Sequence, residues 1–321
     1  MAGANLPAKK YTKTTPTVSR LSFEFDGGST QFIDIAKALS IINRKFYRQG
    51  VYYYVNSVEV YNNETGVVDL HTLHDTWVTK NAWNRGFKIW QQMNALAPVP
   101  QAKYKDFKVY MSDLHRTTGS ANPAVYSINA LYNAAGTPVA DSWAYSQMVS
   151  ADSDGDIDNT DPANPVVNQE ADNFYLHMIG DHVGSSSNWE SVGLIRSYGE
   201  TRARPQSTEP SLPPNPTLEE DPLLNLFDMS TEEVINDITT LSRDNRGTPY
   251  NSDTYIGDSV YAMSHVARVG TEVGVGRVGR ASGFCAPFGL ICVDPHGLST
   301  AFRVVLNLAV GTYHGVYAER A

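Results

Sequence analysis

Residues 51–61 read VYYYVNSVEVY, and eight of these eleven positions are Val or Tyr. Side chains branched at Cβ or built on a ring lose rotamer freedom against a helical turn but fit a pleated surface. The run is therefore an extended strand. Asn62-Asn63-Glu64-Thr65-Gly66 supplies turn residues, and Val67-Val68-Asp69-Leu70-His71 returns to β-like sequence. The pattern predicts a hairpin between the two runs.

Toward the N-terminus, Leu21-Ser22-Phe23-Glu24-Phe25-Asp26 alternates apolar and polar and closes at Gly27-Gly28, which predicts a strand with one face in a core. Asp34 can cap a helix in which Ile35, Leu39, Ile42 and Phe46 recur at helical spacing. Toward the C-terminus a longer helix is predicted from Thr76 to Leu96, with Val78, Ala82, Ile89 and Met93 on one stripe and Pro98 beyond its end. Its Trp77, Trp83 and Trp90 read as core or subunit-contact anchors. Asp106 to Met111 alternates again, and Ser230-Thr231-Glu232-Glu233 is a capping box opening a helix through Val234, Ile238 and Leu241. Strands return at Tyr255 to Val269, Phe288 to Val293 and Phe302 to Val310. Many strands punctuated by Gly and Pro, with a few inserted helices, give the expected fold class: mainly β, a single jelly-roll β-sandwich with inserted helices and long surface loops.

The 321 residues carry 25 Lys+Arg against 34 Asp+Glu, a net charge of −9. General adhesion to nucleic acid is thus not written into the net charge, and any such contact is local. The charge is unevenly placed: the first 50 residues hold eight basic and three acidic groups, whereas 117–195 hold ten acids and no Lys or Arg. This divides the chain into a flexible, weakly basic arm at 1–16 and a sandwich at 17–321. Within the sandwich, 117–195 is expected as an acidic outer-surface insertion and 203–222 as a Pro-rich extended segment. The opening MAGANLPAKK has no apolar core of signal-peptide length and no run is long enough to span a bilayer, so no membrane partner is expected. Synthesis in a reducing cytosol would leave Cys285 and Cys292 as thiols.

Asp152, Asp154, Asp156 and Asp158 alternate around Gly155 in a segment similar to the Asp-rich calcium loops of thrombospondin type 3 repeats. Alternate carboxylates can turn their oxygens toward one hard cation, so Ca2+ is a candidate ligand; a solvated acidic loop is the other reading. No cofactor is required by any motif. Gly274-Val275-Gly276-Arg277-Val278-Gly279 has dinucleotide-fingerprint spacing, but a β-like run follows where that fingerprint needs a helix. Arg277 and Arg280, with Lys9, Lys10, Lys13 and Arg20, are instead the candidate phosphate contacts. His71 and His74 beside Asp75 have the wrong spacing for a metalloprotease helix, and no catalytic set is nominated.

Three stretches resemble the capsid proteins of circular Rep-encoding single-stranded DNA viruses: Asp75-Thr76-Trp77 through Trp90-Gln91-Gln92-Met93-Asn94, Lys105 to Met111, and the pair Ala286 to Ile291 with Gly311 to Ala318. The resemblance implies a jelly-roll subunit without enzymatic activity, partnered with itself in an icosahedral shell and enclosing circular ssDNA. It implies a virion protein made in the host cytoplasm and assembled there or in the nucleus. The chain departs from the family in lacking an Arg-rich or Lys-rich arm. In a shell of about 60 copies or a multiple, its few arm cations fall well short of one charge per nucleotide. The alternative expectation is an extracellular calcium-dependent β-sandwich used for binding or adhesion.

Overall fold

The computed structural model describes residues 16–96, 107–121, 143–150, 157–158, 166–167, 172–185, 188–203, 256–258, 262–271 and 278–321. In chain order the elements are β1 (Arg20–Phe25), β2 (Gln31–Asp34), α1 (Ile35–Asn43), β3 (Val51–Tyr61), β4 (Gly66–Thr72), α2 (Trp77–Leu96), β5 (Tyr110–Ser112), α3 (Asp113–Ala121), β6 (Gln147–Ser150) and the two-residue strands β7 (Ile157–Asp158) and β8 (Val166–Val167). There follow β9 (Asp172–Ile179), β10 (Val183–Ser185), β11 (Asn188–Gly193), α4 (Leu194–Ala203), β12 (Ser264–Thr271), β13 (Val278–Ala286), β14 (Leu290–His296), β15 (Phe302–Leu308), β16 (Val310–Tyr313) and β17 (Ala318–Arg320).

Nine strands form two antiparallel sheets, one in the order β1-β15-β3-β13 with β17 also paired to the start of β3, and one in the order β12-β4-β14-β2. Alternation along β1 turns Leu21, Phe23 and Phe25 inward, where they meet Phe302, Val304 and Leu306 of β15, Val58 and Val60 of β3, and Val68, Leu70, Ile291 and Val293 of the facing sheet. The expected β-sandwich is present. The hairpin predicted from the opening stretch is not: β3 pairs with β15 and β13, β4 with β12 and β14, and Asn62 to Thr65 cross from one sheet to the other. Each strand already has a neighbour on both edges, so turn residues here mark a corner.

Where Phe32, Leu290 and Cys292 lie, the second sheet is buried on both faces. Ile291 and Val293 enter the sandwich core, whereas Leu290 and Cys292, with Phe32 of β2, enter a second core. That core belongs to the segment between β4 and β12, where β9 is flanked by β11 on one side and by β5 and β6 on the other, with α2 and α4 packed nearby. A strand covered on both faces needs apolar residues at consecutive positions, which is why LICV is continuous. The stretch 117–195 is accordingly more than an outer-surface insertion, since Phe174, Leu176, Met178 and Val192 lie fully buried in it. Charge count reports the exposed residues of such a stretch and hides the apolar ones between them.

Gln49 fastens the two cores together. Its Nε2 donates to Asp34 Oδ2 (3.1 Å) and to the Val109 carbonyl (2.8 Å), while its Oε1 accepts from the Val109 N–H (2.7 Å). Asp34 caps α1 as expected, accepting from Lys37 N at 3.0 Å, but α1 ends before Phe46 because Arg44 takes the left-handed conformation at φ 51°. Burial pushes the Asp34 carboxyl above its ordinary range against four lowering influences, the Lys37 N–H first among them.

Candidate functional site

The outer face of the β1-β15-β3-β13 sheet is formed by the residues that alternate with its core positions. Arg20, Ser22 and Glu24 come from β1, Arg303 and Asn307 from β15, Ser57, Glu59 and Tyr61 from β3, and Arg280 and Ser282 from β13. Glu59 is the hub. Arg20 Nη2 lies 2.9 Å from Glu59 Oε2 and Arg280 Nε 3.9 Å from Oε1, while the Tyr61 hydroxyl donates to Oε2 at 2.8 Å. Arg303 pairs with Glu24 on the neighbouring strand. The face therefore carries three guanidinium groups against two carboxylates. Arg20 and Arg280 keep 61% and 75% of their side-chain surface exposed, so both can exchange a carboxylate for a phosphate without unfolding anything. At one end of the face Glu24, Tyr61, Asn62, Asn63, Phe302 and Arg303 line an open cleft of about 370 Å³. Glu64 holds the cleft's two loops together by accepting from Ser299 N (2.8 Å) and Thr300 N (3.3 Å).

Of the candidate phosphate contacts, Arg20 and Arg280 are thus brought to one carboxylate. Lys9, Lys10, Lys13 and Arg277 lie outside the described residues. Sequence reasoning missed Arg303, although Phe302-Arg303-Val304 in an alternating strand places it opposite the core, where Arg20 also points. Trp83 is buried between Phe288 and Phe87, with ring centroids 5.4 and 5.2 Å away, while Trp77 and Trp90 pack partly buried against the same core. Trp83 is thus a core residue, whereas Trp77 and Trp90 keep part of their surface exposed. Asp152, Asp154 and Asp156 lie outside the described residues; the backbone of Asp158 pairs with Val166. The helix expected after Ser230, and the Pro-rich segment from 204 to 222, also lie outside them.

The sheet buried on both faces leaves one end of its outer side uncovered, and there polar residues gather. Asp69 is gripped by Arg268 through two bonds of 2.8 Å, and His265 and His296 each place Nε2 3.3 Å from one of its oxygens. Asp294 lies 3.5 Å from His296 and accepts from Thr30. Although burial opposes it, Arg268 and His265 hold the Asp69 carboxyl below its usual range. His71 stacks edge-on against His265 and is lowered first by burial and then by that neighbour. No group of three or more His, Cys, Asp or Glu among the described residues is arranged to hold a metal ion. Sequence spacing could not find this cluster, because its members meet only through the strand order.

One hydroxyl–imidazole pair invites a catalytic reading. Ser191 Oγ lies 2.6 Å from His177 Nδ1, and His177 Nε2 lies 3.1 Å from the Asp181 carbonyl. A carbonyl only accepts, so Nε2 carries the proton and Nδ1 accepts from Ser191. Both side chains are fully buried, which bars a substrate from the hydroxyl. The pair satisfies two buried polar groups. Cys285 and Cys292 are pushed up by burial to about 11 and about 12, the reverse of an activated thiol. No family model, curated protein or solved structure matches the chain.

Proposed function

We propose that this chain is a viral coat protein whose sandwich is a jelly roll, a structural subunit that closes with copies of itself into an icosahedral shell around a small circular ssDNA genome. The strand order carries the reading. With the short β17 set aside and the other eight numbered along the chain, the sandwich strands lie 1-8-3-6 and 5-4-7-2. Strand 1 pairs with 8, 2 with 7, 3 with 6 and 4 with 5, which is one long nested hairpin; rolling it adds the contacts 8-3 and 7-4. That order matches the double Greek key expected of a jelly roll, a fold common in shell subunits, and so supports the reading.

Sidedness supports an orientation. Among the described residues one sheet has an uncovered face with Arg20, Arg280 and Arg303, and the other sheet is covered by the lobe that includes 117–195, a stretch without Lys or Arg. Facing the arginine sheet and the lysine arm inward would put cations toward nucleic acid and acids toward solvent. Calcium at Asp152, Asp154, Asp156 and Asp158 would tie neighbouring lobes in the same shell.

Negative-stain microscopy of the purified full-length protein at neutral pH, with and without a chelator, tests this. Closed particles of uniform size are expected, and a chelator that dissolves them would point to the Asp-rich loop. A protein that stays monomeric at every salt and calcium concentration would refute the shell.

A further inference from the structure

The insertion between β4 and β12 leaves and rejoins its sheet at one pair, Thr72↔Ser264, and the next pair inward is His71↔His265. The two imidazole rings meet edge-on with centroids 5.2 Å apart. A β-bulge sets this arrangement. The register steps from His71↔His265 to Leu70↔Ala267, so Val266 has no residue opposite it. In an unbroken strand residues three apart face opposite sides. The extra residue instead brings His265 and Arg268 to one side, where both reach Asp69.

Asp69 and Asp294 are themselves directly opposed on β4 and β14. With neutral imidazoles, one guanidinium faces these two carboxylates; with His71, His265 and His296 all protonated, four cations face them. The three protons act differently. One on His296 lies 3.3 Å from Asp69 and 3.5 Å from Asp294, and draws β4 and β14 together. Those on His71 and His265 confront each other across β4 and β12, and the Asp69 beside them is already held by two bonds from Arg268. Like charges directly opposed weaken strand pairing. Two further groups lie close. Cys292, opposite His71 on β14, is a thiol pushed up to about 12 and adds no charge, and His74, just beyond β4, is lowered by burial.

We propose that His71 and His265 form an acid-operated latch at the neck of the lobe, closed while both rings are neutral and parted by repulsion when both carry protons. Burial, and after it the neighbouring His265, lower His71. Opening returns it toward the ordinary value of about 6.5. The open neck therefore takes up the proton first, so the latch is fully closed above about 6.5 and weakens as pH falls below it. The device goes beyond the shell reading and does not depend on it.

Hydrogen exchange read by mass spectrometry on the full chain, at about pH 7.5 and about pH 5.5, brackets the window. After correction for the intrinsic effect of pH on exchange, peptides covering 66–72 and 264–271 should lose up to about tenfold in protection, the effect of one proton taken up over one pH unit. The peptide covering 302–308 in β15 should lose less. No loss at the neck, or an equal loss in β15, would overturn the latch, and neither result needs a variant to fold. His71→Phe, which keeps a ring without a charge, and His265→Gln should each keep the neck protected at the lower pH in protein with a wild-type circular dichroism spectrum. A selective loss that persists in either folded variant would overturn the pair. His296→Gln should leave the selective loss in place; its disappearance there would assign the proton to His296 and overturn the latch at the neck.

Discussion

Trp83 and two buried histidines show what single residues contribute here. The Trp83 ring fills the junction between Phe288, Phe87 and Phe107, so Trp83→Ala should cost about 3–5 kcal/mol in urea denaturation. Trp83→Phe should cost less, because it keeps part of the stacking. Burial, aided by Lys37, pushes His115 down to about 3, and burial pushes His177 down to about 4. Unfolding returns both to about 6.5. The unfolded chain therefore binds protons first as pH falls, so their contribution to stability is full above about 6.5 and is lost progressively toward 4 and then 3. Each histidine should tilt the unfolding free energy by about 1.4 kcal/mol per pH unit in that window. His115→Gln and His177→Gln should each flatten the slope measured between pH 6 and pH 4.5 by about one proton, and an unaltered slope in both would contradict the assignment. The Trp83 anchor was legible from helical spacing, but the histidines were not. His115 stacks on Phe32 and meets Tyr110 edge-on at distances that depend on how the lobe docks.

Among the elements, the arginine-bearing sheet gives the sharpest expectation. Glu59 offsets part of the charge of Arg20 and Arg280, so Glu59→Gln should tighten binding of a single-stranded oligonucleotide. Each phosphate newly engaged should steepen the dependence of log K on log salt by about 0.7. Arg303→Ala should flatten it, and identical slopes in wild type and both variants would remove this face from nucleic-acid contact. Alternation is what made such a face readable: Leu21 to Asp26 announces its inward residues, and thereby Arg20 as outward, whereas Val305 breaks the alternation of Phe302 to Leu308 and left Arg303 unread. The same logic failed at Asn62 to Gly66. A tight hairpin and a corner between sheets use the same turn residues, and only the partners of β3 and β4, far along the chain in β12, β13 and β15, distinguish them. Nor did periodicity reveal that Leu290 and Cys292 serve a different core from Ile291 and Val293. An unbroken apolar run has no alternation from which to assign faces.

For the whole molecule, the lobe between β4 and β12 both depends on the sandwich and completes it. Thr72 and Ser264 are paired neighbours, so the insertion leaves and rejoins the sheet at one point, and its length bears only weakly on closing the loop. Sequence composition marked its acidic stretch but could not mark its ends, because helix α2 looks like part of any domain and β12 like any other strand. The sandwich in turn exposes Phe32, Leu290 and Cys292 wherever the lobe is absent, since these side chains belong to the second core. Replacing 74–262 with a short Asn-Gly turn should therefore leave the nested strand pairing possible but create an apolar surface patch. That variant should precipitate, whereas the same deletion carrying Phe32→Thr, Leu290→Thr and Cys292→Ser should show more soluble protein with a β-type circular dichroism spectrum. Equal solubility of the two would mean that the sheet's outer side does not rely on the lobe for cover. In that case the lobe would be an appendage, and the sidedness on which an inward arginine sheet and an outward lobe depend would lose its structural basis.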